Sequence, residues 1–173
     1  MRHMSQEVAT MSDMVGETIG AGISQANPTI RQTIDLLGGT LVSRRALLSD
    51  LEVHEVLLKG MSGKVLTYVV RHAKILDRGD LLKVAGVSFR TVQRLEATSN
   101  KLLSSEQSGR VWKFAEILAK AIDVFGTREE AERWLATPAI ALDQRRPVDL
   151  LASPVGIEMV EQLLGRLKFG VYT

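Results

Sequence analysis

The sequence predicts an all-α protein, and three observations lead to that fold class. Leu, Ala, Glu, Lys and Arg together make up 72 of the 173 residues, and all five residue types favour helices. Apolar residues recur three and four positions apart, which is the spacing of one helix face. Alternation of apolar and polar residues, the mark of a half-buried strand, is never sustained. We therefore expect helices joined by short turns and no β-sheet.

The composition also restricts the class of protein. The chain has 173 residues, 45% of them apolar, which suffices for one or two small domains with a core. It has no cysteine, and therefore neither disulfides nor thiolate metal sites, as is typical of cytoplasmic proteins. No apolar run approaches the roughly 18 residues of a membrane helix, and no signal-peptide pattern is present. We expect a cytoplasmic protein without a membrane partner.

The first part of the chain divides into an arm and several short helices. Residues 1–27 are rich in Met, Ser, Gly and Ala without a sustained period, and we predict a flexible arm or one that orders on a partner. Asn27-Pro28 provides a cap and a first-turn proline for a helix that ends at Gly38-Gly39. Residues 43–48 are predicted to form another turn or two.

Two further helices follow before residue 75. Ser49-Asp50-Leu51-Glu52 is a capping box that opens a helix ending at Lys59-Gly60. Residues 62–74 form the next predicted helix, with Val65 and Val69 facing inward and His72 placed on the same side.

Residues 80–96 have the layout of a helix-turn-helix. A short helix over residues 80–85 is followed by Gly86, which supplies a left-handed turn residue, and by Val87, which fills the corner. Ser88 then caps a second helix over residues 89–97.

The outer face of that second helix suits DNA. Arg and Gln form bidentate contacts with guanine and adenine, and they lie near the helix N-terminus, where a recognition helix meets base edges. The predicted DNA-binding residues are Ser88, Arg90, Thr91, Gln93, Arg94 and Lys101. Arg78 and Lys83 are further candidates for phosphate contacts. Tight specific binding requires a homodimer, because one short helix contacts few base pairs.

The charge distribution supports a polyanion-binding surface. Residues 59–101 contain nine Lys and Arg against three Asp and Glu, a net charge of +6, whereas the whole chain carries +2. A solvated helical face is the alternative explanation of this charge.

No pattern indicates catalysis, a cofactor or a metal. The three histidines lack ligand spacing; they are His3, His54 and His72. Glu129, Glu130 and Glu132 lie in or near the first turn of a predicted helix, where carboxylates favour the macrodipole. We predict that the chain is not an enzyme and binds no cofactor.

The C-terminal third is predicted to form one long helix and three shorter ones. Ser104 caps the long helix, which runs to about Phe125 along an apolar stripe. Thr127 opens a second helix, with a capping box formed with Glu130. Pro147 starts a short third helix, and Ser153-Pro154 starts the last. The predicted structural anchors of this region are Trp134, Pro138, Pro147 and Gly156, with Trp134 at the centre.

The same region carries a family resemblance. Its pattern is Ala121-x-x-Val124-Phe125-Gly126, Ala131-x-x-Trp134-Leu135-x-x-Pro138, Pro147-x-x-Leu150-Leu151, Gly156 and Gly170-Val171. This resembles the toxin-binding domain of Xre-type antitoxins, in the Xre/MbcA/ParS family of type II toxin–antitoxin systems. Two positions depart from the family pattern: Ala139 replaces an Asn, and Asp143-Gln144-Arg145 replaces a Gly-Gly pair, which leaves the shape of that loop open.

The resemblance implies an architecture and two activities. We expect an N-terminal helix-turn-helix domain over residues 28–103 and a C-terminal toxin-binding domain over residues 104–173. Family partners are RES-domain toxins, which deplete NAD⁺. The resemblance implies that the antitoxin blocks the toxin and represses its own operon. We expect a homodimer within a toxin–antitoxin assembly. Some family members have a degraded DNA-binding half.

The end of the chain is the predicted toxin-binding segment. Its residues are Arg166, Lys168, Phe169, Gly170, Val171, Tyr172 and Thr173. A toxin that binds NAD⁺ presents cations to the pyrophosphate, and the carboxylate of Thr173 is a tethered anion suited to that site. Three alternatives stay open: a frayed terminus with toxin contacts around Trp134, an antitoxin that does not bind DNA, and a stand-alone transcription regulator whose C-terminal domain only dimerises.

Overall fold

The structure is a computed structural model that describes residues 27–45, 47, 49–98 and 101–170. Nine α-helices lie in the described residues: α1 Pro28–Leu36, α2 Asp50–Lys59, α3 Gly63–His72, α4 Arg78–Ala85, α5 Phe89–Ala97, α6 Ser105–Phe125, α7 Arg128–Ala136, α8 Pro147–Leu150 and α9 Pro154–Phe169. Two 3₁₀ turns, Gly39–Leu41 and Ile140–Leu142, accompany them. These residues contain only isolated β-bridges and no strand, so the all-α prediction is confirmed.

Short polar side chains begin most of these helices. The following residues each accept a backbone N–H from the first turn: Asn27, Ser49, Ser62, Asp77, Ser88, Ser104, Thr127 and Ser153. Ser49 and Ser104 form complete capping boxes with Glu52 and Gln107, as predicted. Thr127 accepts the N–H of Glu130, whose carboxylate forms an ion pair with Arg133.

Three predicted boundaries are wrong, each for a local reason. Gly38 adopts a left-handed φ of 93°, and the chain enters its 3₁₀ turn at once, so residues 43–45 and 47 are not helical. Helix α3 ends at His72 rather than at residue 74, because Ala73 is extended. Helix α4 begins at Arg78 rather than at residue 80, because Asp77 caps it. His72 is exposed and stacks on Tyr68, with ring centroids 3.9 Å apart.

Helix α6 is the common axis of the fold. Its 21 residues bury apolar side chains along most of its length, including Trp112, Ile117 and Leu118. Helices α1, α2 and α4 pack against it from the N-terminal part of the chain, and α7 and α9 from the C-terminal part. Helix α5 packs against α3 instead. One core therefore joins both predicted domains, and the predicted arm, apart from Asn27, lies outside the described residues.

Candidate functional site

The turn between α4 and α5 has the geometry that the sequence predicts. Gly86 has a left-handed φ of 65°, and a Cβ there would lie 2.8 Å from Nη1 of Arg110 on α6. Val87 is buried at the corner and donates its N–H to the carbonyl of Leu82 at 3.0 Å. The left-handed conformation favours glycine at position 86, whereas the guanidinium of Arg110 can shift to admit a side chain.

The predicted recognition helix presents three polar side chains to solvent. Val92 and Leu95 are buried beneath α5, whereas Arg90, Gln93 and Arg94 lie exposed on the opposite face. Within the described part of the chain, neither arginine forms an ion pair, so both guanidinium groups are available to an anionic partner.

Two of the other predicted DNA-binding residues, Ser88 and Thr91, are engaged at the cap of α5. The Oγ of Ser88 accepts the N–H of Thr91 at 3.2 Å, and the two hydroxyl oxygens lie 3.0 Å apart. Lys101 is partly buried, and its carbonyl accepts the N–H of Gly63 at 2.8 Å. Ser88 and Thr91 therefore support the cap of α5, whereas the bond at Lys101 involves its backbone and not its ammonium group.

Two cations of the basic segment form internal contacts. The guanidinium carbon of Arg78 lies 4.4 Å from the ring centre of Phe89, and its Nη2 lies 3.6 Å from Glu96. Lys83 lies 3.3 Å from Asp149 on α8. Arg78 therefore bridges α4 and α5, whereas the ion pair of Lys83, whose side chain is 60% exposed, is a surface contact that contributes little.

The predicted anchors of the C-terminal helices occupy different depths. Trp134 is partly buried and packs on Phe125, with ring centroids 5.4 Å apart, so it lies at the edge of the core rather than at its centre. Ala131 and Leu135, with no exposed surface, occupy the centre. Pro138 is exposed just beyond α7.

The other two anchors bring α8 and α9 together. Pro147 is buried at the first position of α8. Gly156 lies directly over Leu150, where an added Cβ would be 2.8 Å from the carbonyl carbon and 3.0 Å from the Cα. Only a residue without a side chain permits this approach.

The loop that departs from the family pattern has a defined shape. Asp143 and Gln144 both adopt left-handed conformations, with φ of 51° and 60°. The N–H of Gln144 donates to the carbonyl of Ala139 at 3.0 Å, and Ala139 pairs with Arg145 in a short bridge. The loop therefore has the backbone that a Gly-Gly pair adopts without strain, although neither residue is glycine.

The C-terminal end of α9 is exposed. Phe169 is 76% accessible, Arg166 is exposed, and Gly170 ends the helix with a left-handed φ of 65°. Lys168 lies 3.2 Å from Asp123 across two exposed side chains, an ion pair of the kind that contributes little. The remaining predicted toxin-binding residues, Val171, Tyr172 and Thr173, lie outside the described residues.

Glu132 is a structural centre that the sequence analysis misses. Its side chain is 1% exposed, and its Oε2 accepts the N–H groups of Lys74, Ile75 and Leu76 at 2.6, 2.7 and 3.3 Å. Its Oε1 accepts from Nε of Arg128 at 2.8 Å. Burial alone raises the pKa of Glu132, but the hydrogen bonds from Arg128 and from these three N–H groups bring it below its usual value.

The prediction that Glu132 serves only the helix macrodipole is wrong. One signal in the sequence does indicate its position: Glu132 lies on the same helical face as Ala131 and Leu135, four residues after Arg128. A carboxylate on an apolar face needs a partner, and the arginine supplies it.

Arg146 forms a second ionic centre, at the start of α8. Its Nη2 and Nη1 donate to the two carboxylate oxygens of Asp80 at 2.8 and 3.1 Å. Its Nε and Nη2 donate to Asp149 at 2.8 and 3.0 Å. The bonds to Asp149 and Asp80 raise the pKa of Arg146, and the bond from Arg146 lowers the pKa of Asp149.

Comparison with known proteins identifies the family. A family described as "Antitoxin Xre/MbcA/ParS C-terminal toxin-binding domain" matches residues 120–170. A protein named Antitoxin Xre from Pseudomonas putida is 30% identical over 128 residues, covering 72% of this chain and 76% of that protein. The chain belongs to the Xre antitoxin family.

Two other Xre antitoxins are similar over shorter stretches. The Yersinia enterocolitica protein is 30% identical over 99 residues, and the Photorhabdus laumondii protein is 28% identical over 103 residues. These matches cover 57% and 59% of this chain and 66% and 69% of the relatives, so the chain spans about two thirds of their length.

The Xre family match places Glu132 and Arg146 inside the domain that the family description calls toxin-binding. The exposed side chains of α5 lie outside it. No helix among the described residues is long and apolar enough to cross a membrane.

Proposed function

We propose that this Xre antitoxin neutralises a cognate RES-domain toxin that degrades NAD⁺ in the cytoplasm. The single observation that carries the proposal is the family match over residues 120–170, which includes α7 to α9. The toxin-binding segment is the end of α9 and the residues that follow it. We further propose that a homodimer represses its own operon through α5, and that the protein acts by binding rather than by catalysis.

The chemistry of the chain end suits an NAD⁺ site. A pyrophosphate is bound by cations and N–H donors, and the α-carboxylate of Thr173 is an anion that these groups accept. Tyr172 supplies a ring for stacking where a base or nicotinamide lies. Arg166 and Phe169, which are both exposed, supply a cation and an apolar surface for the rim of the cleft. The surface pair of Lys168 with Asp123 is weak enough for a partner to replace it.

Two changes at the chain end test this mechanism. Deletion of residues 171–173 removes the ring of Tyr172 and the proposed anion, and extension of the chain beyond Thr173 by a short Gly-Ser tail moves that anion but keeps every residue. We expect both variants to lose protection of cells that express the toxin, and to leave NAD⁺ depleted, with unchanged circular dichroism and melting temperature. Full protection by both variants would exclude the plug and direct attention to the surface around Trp134.

The operon-repression proposal depends on the free side chains of α5. In mobility-shift assays with the upstream region of the antitoxin's own gene, Arg90→Ala and Arg94→Ala should each weaken binding by about 1 to 3 kcal/mol. Arg133→Ala is the matched control, since Arg133 is an exposed arginine paired within its own helix. Unchanged binding by both α5 variants would remove the recognition-helix assignment.

Co-purification separates the antitoxin from a stand-alone regulator. An antitoxin of this kind should co-purify with the product of the adjacent gene, and should do so with Arg90 and Arg94 both changed. A chain that binds DNA as a dimer but captures no neighbouring gene product would instead be a transcription regulator.

A further inference from the structure

We infer that Glu132 and Arg146 are positioning residues through which the toxin-binding domain sets the orientation of the recognition helix α5. This inference rests on the proposed DNA binding by α5. It adds that the helix-turn-helix is not an independent module, because its first helix is held by two side chains of the other domain.

The first contact fixes the segment that leads into α4. Lys74 and Ile75 are exposed, so their side chains contribute little packing to hold residues 74–76 in place. Their N–H groups, with that of Leu76, converge on one carboxylate oxygen of Glu132. A buried, ionised carboxylate with three donors and an arginine partner is a strong and directional constraint. Glu132 therefore holds the segment that leads into α4, and Asp77 caps the helix that follows.

The second contact fixes the first turn of α4 itself. Asp80 lies in that turn, and its side chain is only 11% exposed. Arg146 donates two bonds to it in the planar, bidentate geometry that a lysine cannot reproduce. Asp149 holds the same guanidinium from within α8, and it also receives Lys83 from α4. The two contacts together restrict both the position and the rotation of α4.

The orientation of α4 determines that of α5, because a short turn of fixed conformation joins the two helices. The turn between them is only residues 86–88, and Gly86 in it has a left-handed φ of 65°. Arg78, which lies between the two contacts in sequence, covers the ring of Phe89 and pairs with Glu96 near the other end of α5. A tilt of α4 therefore moves α5, and with it Arg90, Gln93 and Arg94.

The test compares three substitutions in the full-length protein. Glu132→Gln removes the charge and one of the two acceptor oxygens of the first contact, and Arg146→Gln removes the bidentate second contact. Arg133→Gln removes an exposed pair on α7 that reaches neither α4 nor residues 74–76. Affinity for a labelled duplex from the upstream region of the antitoxin's gene is measured by anisotropy, at a temperature where every variant is folded. Protection of cells against the toxin is measured in parallel.

We expect the first two variants to bind the duplex on the order of ten-fold more weakly. Amide hydrogens of residues 74–86 should exchange faster in both, and the Arg133→Gln variant should match the unchanged protein. If Glu132→Gln fails to fold, Arg146→Gln carries the test, because Arg146 is partly exposed and lies at the surface of the core. A role in stability alone would lower the melting temperature and leave the affinity of the folded protein unaltered.

Two results would overturn the inference, and they differ from each other. Wild-type affinity in the folded Arg146→Gln variant removes the positioning role and leaves DNA binding by α5 in place. No binding by the unchanged protein removes both the DNA-binding proposal and this inference.

Discussion

Substituting Gly156 by alanine tests the close contact between α8 and α9. The added Cβ would lie 2.8 Å from the carbonyl carbon of Leu150 and 3.0 Å from its Cα, and closer still to the carbonyl oxygen. All three are backbone atoms, so no side-chain rotation relieves the contact. One of the two helices must move, and the bond from the N–H of Gly156 to Ser153 Oγ at 3.1 Å moves with it.

The magnitude follows from two opposing effects. Overpacking of this kind costs about 1 to 3 kcal/mol, and weakening the helix cap adds about 1 kcal/mol. Alanine gains at most about 1 kcal/mol over glycine in a helix. We therefore expect a net loss of about 2 kcal/mol in the free energy of unfolding.

Gly165→Ala is the matched control. Gly165 lies in the same helix, and an added Cβ there meets no atom within 4 Å, so we expect a gain of up to about 1 kcal/mol. Urea unfolding followed by circular dichroism measures both variants. With a slope of about 2 kcal/mol per molar urea, the Gly156→Ala midpoint should fall by about 1 M. A midpoint equal to that of the unchanged protein, or an equal fall for both variants, would refute the steric argument.

Three further predictions concern stability. The folded protein lowers the pKa of Glu132, so the stability that Glu132 contributes is present above its unfolded pKa of about 4.3 and is lost as pH falls through the folded value. Below about pH 4.3 the urea midpoint of Glu132→Gln should therefore drop less steeply than that of the unchanged protein, and equal slopes would contradict this. Thr33→Val should raise the free energy of unfolding by about 1 kcal/mol, because within the described residues the buried Thr33 hydroxyl has no hydrogen-bond partner. Thr67→Val is the control: it loses a hydrogen bond to the carbonyl of Lys64 and should not be more stable. Gln144→Gly should raise the free energy of unfolding by about 0.5 to 1 kcal/mol, because glycine adopts the left-handed conformation without strain. Gln144→Ala should leave the free energy of unfolding unchanged. Equal effects of the two substitutions would argue against strain at this position.

Local signals made most helix starts predictable. Ser49, Ser104 and Asn27 cap helices through atoms two or three residues away, so the sequence contains the whole interaction. The apolar stripe of α6 is similarly local, since its spacing alone places Phe114 and Leu118 in the core. The turn at Gly86 is likewise predictable, because the residues that form it are adjacent in the sequence.

The contacts that connect the two regions could not be predicted in the same way. Glu132 bonds to residues 56 to 58 positions away, and Arg146 bonds to Asp80, 66 positions away. Capping and periodicity carry no information at that separation. Glu132 is the example. Its position near the start of α7 predicts an interaction with the helix macrodipole, whereas three of its hydrogen-bond donors lie outside that helix.

Net charge describes the basic segment as a whole and does not predict the contacts of its individual residues. Counting cations assigns Arg78 and Lys83 to phosphates, yet the structure pairs them with Glu96 and Asp149. Helical periodicity was the better guide, because the face opposite Val92 and Leu95 does hold Arg90 and Arg94.

The contacts of Glu132 and Arg146 limit how such antitoxins can be recombined. A chimera that joins residues 1–103 of this chain to the C-terminal region of a relative keeps Asp80 and the N–H groups of residues 74–76. Unless the region from the relative has an acidic residue in place of Glu132 and an arginine in place of Arg146, Asp80 and these N–H groups lose their hydrogen bonds. Exchange of toxin specificity between relatives therefore works best when the junction lies before residue 74, so that these partners travel together.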